Sequence, residues 1–136
     1  MDETLLQRIF RIPIVKTLGM DFKELNDGIC TVEVPHDKRY DGVYESMHGG
    51  LMMTVADSIA CFAIMSRTGP EQAMTTTDMN IRFLAPCLTD VTATARVIKL
   101  GRTLCPVAVD LFDGSGRHCA VAQVTYMLLD RIPKRN

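Results

Sequence analysis

The stretch from Leu51 to Ser66 is apolar on nearly every side. At helical spacing Leu51, Met52, Met53, Val55, Ala56, Ile59, Ala60, Phe62, Ala63 and Ile64 leave no broad polar face. A helix that is apolar all round is a buried helix, so the rest of the chain must wrap it. At ~1.5 Å per residue it spans roughly 25 Å, about the width of a small domain. Gly69-Pro70 ends it. The run is short for a membrane span and carries Asp57 inside it, so we expect a core helix and no membrane partner.

The wrapping has to come from strands. Met20 to Glu24 and Ile29 to Val34 read as two strands joined by Asn26-Asp27-Gly28, a strong hairpin signal. After the helix, Met74 to Leu84 alternates, with Met79, Ile81 and Phe83 on one face and Asp78, Asn80 and Arg82 on the other. Val91 to Leu100, Leu104 to Phe112 and His118 to Leu129 follow, with short turns that predict an antiparallel meander. Pro106 predicts an edge or a bulge at its position. A short helix is expected within Glu3 to Thr17, interrupted at Pro13. Residues Arg131 to Asn136 read as a frayed tail. The expectation is one α+β domain over residues 1–136: a long central helix wrapped by a five- to six-stranded antiparallel sheet. One helix covers one sheet face, which leaves the other to water or a second copy.

Composition narrows the function. The formal net charge is −1, which gives no electrostatic footprint for a nucleic-acid partner. The chain opens Met1-Asp2-Glu3, acidic where a secretion signal is basic, so a cytoplasmic location is expected. The five cysteines, Cys30, Cys61, Cys87, Cys105 and Cys119, are scattered without a CxxC pair and read as small hydrophobes. Neither a metal nor a cofactor is expected.

Four features carry chemistry. His48-Gly49-Gly50 opens the helix, where unpaired backbone N–H groups and a partial positive charge suit an anion or a developing oxyanion. Gly49 and Gly50 let a ligand approach that backbone; the plain alternative is a loop-to-helix turn that glycine merely fits. Asp57 sits in the most apolar segment of the chain. It is either a carboxylate that caps or pairs locally, or a catalytic one set by its burial. In Thr75-Thr76-Thr77-Asp78-Met79-Asn80, alternation puts Thr76 on the face of Asp78 and Asn80, away from the core. Simple strand propensity explains the threonines equally well. Lys99-Leu100-Gly101-Arg102-Thr103 is a basic hairpin, a phosphate-binding candidate or a solvated turn.

Taken together, these residues resemble the hotdog-fold thioesterase superfamily, in the clade of the phenylacetyl-CoA thioesterases. The resemblance runs from Met47 to about Leu129 and rests on His48-Gly49-Gly50 with Asp57 at this spacing. Asp78-Met79-Asn80-Ile81 through Pro86 and Lys99-x-Gly101-Arg102-Thr103-Leu104 follow in order. It implies an acyl-CoA substrate and a homo-oligomer, a dimer or a dimer of dimers, with active sites between subunits. In that frame the Gly49 N–H polarises the thioester carbonyl. Asp57 of the opposite subunit acts as base or nucleophile, Thr76 helps hold the water, and His48 orients the loop. Gly50 lines the substrate, and Lys99, Gly101, Arg102 and Thr103 lie near the nucleotide end of CoA. One position departs from the pattern. Many relatives carry Asn six residues before the His, where this chain has Gly42, preceded by Asp41. Two other functions remain: a non-catalytic acyl-CoA binding protein on the same fold, and a hotdog hydratase or dehydratase. Asp57 after His48-Gly49-Gly50 argues against the last.

Overall fold

The computed structural model describes residues 1–135. Two short helices, α1 (Glu3–Ile9) and α2 (Pro13–Leu18), precede the hairpin of β1 (Asp21–Asn26) and β2 (Ile29–Val34). Pro13 takes the first turn of α2, where a missing N–H costs nothing, so the proline starts a second helix instead of ending the region. Asp27 (φ 44°) and Gly28 (φ 82°) make the tight turn, both in the left-handed region that such hairpins require. A single 3₁₀ turn, Lys38–Tyr40, leads to the long helix α3 (Gly49–Thr68). Then come β3 (Ala73–Phe83), β4 (Val91–Val97), β5 (Leu104–Asp113) and β6 (His118–Leu129).

All six strands form one antiparallel sheet in the order β1-β2-β4-β5-β6-β3. The β4-β5-β6 meander is as expected, and β3 closes one edge beside β6. The inner face presents Cys30 and Val32, Val91, Ala93 and Ala95, Val107, Val109 and Leu111, then Ala120, Ala122 and Val124. Helix α3 lies across it and buries Met52, Val55, Ala56, Ile59, Ala60, Phe62, Ala63 and Ile64. Val55, Ile59 and Ile64 each lose a few tenths of a kcal/mol in helix propensity. Burial returns ~1.5–3 kcal/mol for each, so packing decides the helix. This is the sausage-in-bun arrangement expected of the hotdog fold.

Several details differ from the sequence reading. Helix α3 starts two residues earlier and ends two later than expected, because His48 caps it across Gly49 and Gly50. Its 20 residues, with a mean hydropathy of 1.5, do match a membrane span in length and composition; here the sheet wraps it. It is not covered all round, however: Met53, Thr54, Asp57, Ser58, Cys61 and Met65 form a half-open flank. Strand β4 stops at Val97, so the connection to β5 is the six-residue segment 98–103, not a tight Gly101-Arg102 turn. Pro106 explains this. It lies in an interior strand with no bulge at its own position, one residue past the last β4 pair, Val97 with Val107. Its carbonyl accepts from Ile98 N–H, but it has no N–H to return, and the ladder ends there. The outer sheet face is polar, with Asn80, Arg82, Arg96 and Gln123 exposed and a Thr31–Thr94 hydroxyl pair at 3.0 Å. Water therefore suffices to cover it.

The register of β3 holds the most consequential difference. Thr76 pairs with Tyr126 and Asp78 with Thr125, so Thr77 is an extra residue, a β-bulge. The bulge switches the alternation. Thr76 shares the inner face with Met79 and Ile81, opposite inward-facing Tyr126, and not the outer face of Asp78 and Asn80.

Candidate active site

At the start of α3 the His48 ring turns back on its own helix. Its Nδ1 accepts from Gly50 N–H at 2.9 Å, and its carbonyl accepts from Leu51 N–H (2.9 Å) and Met52 N–H (3.1 Å). Of the four first-turn donors, only Gly49 N–H has no partner among the described residues. Gly50 therefore does not offer its N–H to a ligand. It is glycine because a Cβ there would sit 3.0 Å from the His48 ring. The Phe83 ring lies against Gly49, where a Cβ would come 3.0 Å from Cζ. Gly49 also opens onto a cleft of about 390 Å³ lined by Met47, Met52, Phe83, Leu84 and Pro86, an apolar hollow beside a free backbone donor.

Gly42, at the position of the relatives' Asn, backs onto His48, with a Cβ there 3.6 Å from the ring carbon Cδ2. Asp41 instead lies by His36, its Oδ1 3.7 Å from Nε2, too far for a hydrogen bond. The space beside His48 belongs to position 42, and glycine leaves it open.

Asp57 lies two turns further along α3, on the half-open flank. Its Oδ1 accepts from Thr76 Oγ1–H at 2.7 Å and from the Tyr126 phenol at 2.9 Å. Its Oδ2 accepts no hydrogen bond among the described residues, yet is not one of the buried unpartnered atoms, so it reaches solvent. One oxygen is anchored and the other is presented. Tyr126 is the residue that sequence reasoning missed. The inner series Ala120, Ala122, Val124, Tyr126 was legible as a strand face, but which side chain of α3 it meets was not.

The thiols are poor candidates for nucleophiles. Burial pushes Cys30 up to about 12 and Cys61 and Cys87 up to about 11, which keeps them protonated near neutral pH. His118 turns outward, and Cys119 is the extra residue of a bulge opposite Leu111 and Phe112, so it and Ala120 are both buried.

The candidate residues do not all meet within one chain. Gly49 and Asp57 are separated by about 12 Å of helix. Lys99 and Arg102 are exposed at the opposite end of the sheet, where Arg102 borders a groove with Gln72, Ala73 and Leu128. That end is about 30 Å from Phe83 along β3. Gly101 shapes the segment: its N–H donates to the Leu104 carbonyl at 3.2 Å, and a Cβ there would run into that oxygen. The Thr103 carbonyl accepts from Leu128 N–H at 2.7 Å, which ties the segment to β6.

Known proteins give this geometry its context. The family model described as Thioesterase superfamily matches residues 44–120. Acyl-coenzyme A thioesterase 13 of Homo sapiens is 33% identical over 101 residues, 66% of this chain and 69% of that protein. Proofreading thioesterase EntH of Klebsiella pneumoniae is 25% identical over 112 residues, 82% of each. A thioesterase family protein from Silicibacter pomeroyi superposes with a TM-score of 0.84 at 28% identity, covering 93% of this chain and 96% of that one. The E. coli PaaI protein superposes with a TM-score of 0.85 at 20% identity, covering 93% and 91%, a likeness of fold. The matched span holds the helix N-terminus, Asp57 and Thr76 together, and the chain belongs to the thioesterase superfamily, as a thioester hydrolase on the hotdog fold.

Proposed function

We propose that this chain is an acyl-CoA thioesterase, hydrolysing an acyl-CoA to the free acid and CoA, with active sites shared between two copies. The observation that carries the reading is Asp57: a carboxylate in an apolar helix, with Oδ1 held by two hydroxyls and Oδ2 open. In the reaction, Gly49 N–H polarises the thioester carbonyl. Asp57 Oδ2 takes a proton from water, whose oxygen attacks the carbonyl carbon, and the oxyanion forms at the Gly49 N–H. Collapse breaks the C–S bond and releases the CoA thiolate, which is then protonated. The apolar hollow beside Gly49 fits an uncharged acyl group.

The separation within one chain supports a shared site. Strand β3 is an 11-residue edge with unpaired backbone groups, a ready template for a second strand. The midpoint between Thr76 and Phe83 falls between Met79 and Asn80. Antiparallel pairing of two β3 edges about that point sets Phe83, with Gly49 behind it, opposite the partner subunit's Thr76 and Asp57. The half-open flank of α3 is covered by the same step. Lys99 and Arg102 then take the nucleotide phosphates of CoA. Steady-state hydrolysis of aryl, short-chain and medium-chain acyl-CoAs tests the reading, and turnover of at least one series is expected. Tight acyl-CoA binding with no turnover of any would return the chain to a binding protein.

A further inference from the structure

Tyr126 carries the only phenol on the inner sheet face among the described residues. We propose that Tyr126 is a positioning residue that fixes the Asp57 carboxylate so that one oxygen always faces the reacting water. The inference rests on the reading of Asp57 given above and adds a residue to it.

Tyr126 lies on β6 in register with Thr76 on β3, and the two are direct cross-strand partners. The bulge at Thr77 is what turns Thr76 inward to this pairing. Both hydroxyls reach across to α3 and converge on one atom, Asp57 Oδ1, at 2.7 Å from Thr76 and 2.9 Å from Tyr126. The phenol oxygen is also 2.9 Å from the Asp57 backbone carbonyl, but it has a single proton to donate. An ionised carboxylate is the stronger acceptor, and that carbonyl already serves the helix, so the proton goes mainly to Oδ1. The donor is dependable. Tyr126 is only 6% exposed, and burial raises the phenol above its ordinary range, which keeps the proton on oxygen.

The second χ angle of an unconstrained aspartate is broad and roughly two-fold. Two donors on one oxygen remove that freedom. They select which oxygen is presented and which lone pair it offers. Among the described residues Tyr126 hydrogen-bonds Asp57 at Oδ1 and not at the open Oδ2, and it does not line the cleft beside Gly49, so it acts through Asp57 and not on the substrate.

Tyr126→Phe removes the phenol proton and keeps the ring that fills the core. The expected result is a fall in kcat of about ten- to a hundredfold, with KM within about twofold, because a carboxylate displaced by a fraction of an ångström reacts poorly but blocks nothing. In an Asp57→Asn background the same change should cost no further rate. Thr76→Val, which removes the other donor at equal volume, should give the same KM-neutral loss and stands in should Tyr126→Phe fold poorly. An unchanged kcat with a lowered Tm would mean that the phenol only ties helix to sheet, and would overturn the inference. So would an equal loss in the wild-type and Asp57→Asn backgrounds. An Asp57→Asn enzyme with wild-type kcat would instead remove the role of Asp57, and is recognised because it appears before Tyr126 is altered.

Discussion

An aspartate in the middle of an apolar helix starts at a disadvantage of roughly half a kcal/mol in propensity, before any cost of burial. Two hydroxyl donors to an ionised oxygen contribute ~1.5–3 kcal/mol each, so Asp57 is stable there only because Thr76 and Tyr126 are. The chain anchors one carboxylate oxygen and leaves the other without a partner among the described residues, as the proposed base requires. Asp57→Asn preserves the shape and removes the base. We expect kcat to fall on the order of a hundredfold or more with the fold intact by circular dichroism. Gly49 permits an equally specific test. It is the first helical residue, where proline is well tolerated, and His48 before it is already extended (φ −56°, ψ 130°), as a residue preceding proline must be. Gly49→Pro thus deletes the unpaired N–H, and its crowding of the Phe83 ring is shared by the Gly49→Ala control. Loss of one oxyanion donor should lower kcat about a hundredfold. Gly49→Ala crowds Phe83 equally but retains the N–H, and should remain far more active. Equal rates for the two variants would show that the donor plays no part.

At the level of elements, what could be read from the sequence was whatever depends on local periodicity. The all-apolar run gave α3, Asn26-Asp27-Gly28 gave the first hairpin, and the short turns gave the β4-β5-β6 meander. Features that depend on the facing strand could not be read. Thr77 looks like any strand threonine, and only its pairing makes it a bulge, so Thr76 was assigned to the wrong face. Pro106 reads from the sequence as an edge or a bulge, because its position relative to the end of β4 is a matter of register. The bulge makes a prediction of its own. Thr77 matters as an extra backbone unit, and its side chain is exposed. Thr77→Ala should retain activity within about twofold, and deletion of Thr77 should leave simple alternation with Thr76, now next to outward-facing Asp78, still inward opposite Tyr126, so that turnover survives. A deletion variant that folds but has lost all turnover would contradict this account of the inner face. The segment 98–103 is tested separately. Replacing Lys99 and Arg102 with Ala should raise KM for acyl-CoA far more than for the matching pantetheine thioester, which lacks the nucleotide. Exposed charges are screened by salt, so the difference should shrink at high ionic strength. An effect equal for both substrates would assign these residues to the shape of the turn.

Over the whole molecule, the decisive fact is that the free donor at Gly49 and the presented carboxylate of Asp57 are about 12 Å apart along one rigid helix, too far to act on one carbonyl and its water. No rotamer change closes that gap. In the proposed arrangement a second copy across the β3 edge closes it, and would cover the half-open flank of α3 as it does so. The arrangement makes complementation the sharpest test. In a hybrid dimer of one Gly49→Pro chain and one Asp57→Asn chain, one site receives both defects and the other receives neither. Random reassembly of equal amounts yields about half hybrids, each with one intact site of two, so the mixture should recover about a quarter of wild-type activity. Either variant alone should recover nothing on the same treatment. Sedimentation at micromolar concentration should show a dimer or tetramer throughout, so that exchange between subunits, and not assembly itself, is the variable. Were the site contained within one chain, mixing two inactive variants would restore nothing, and an active monomer would remove the need for a partner altogether.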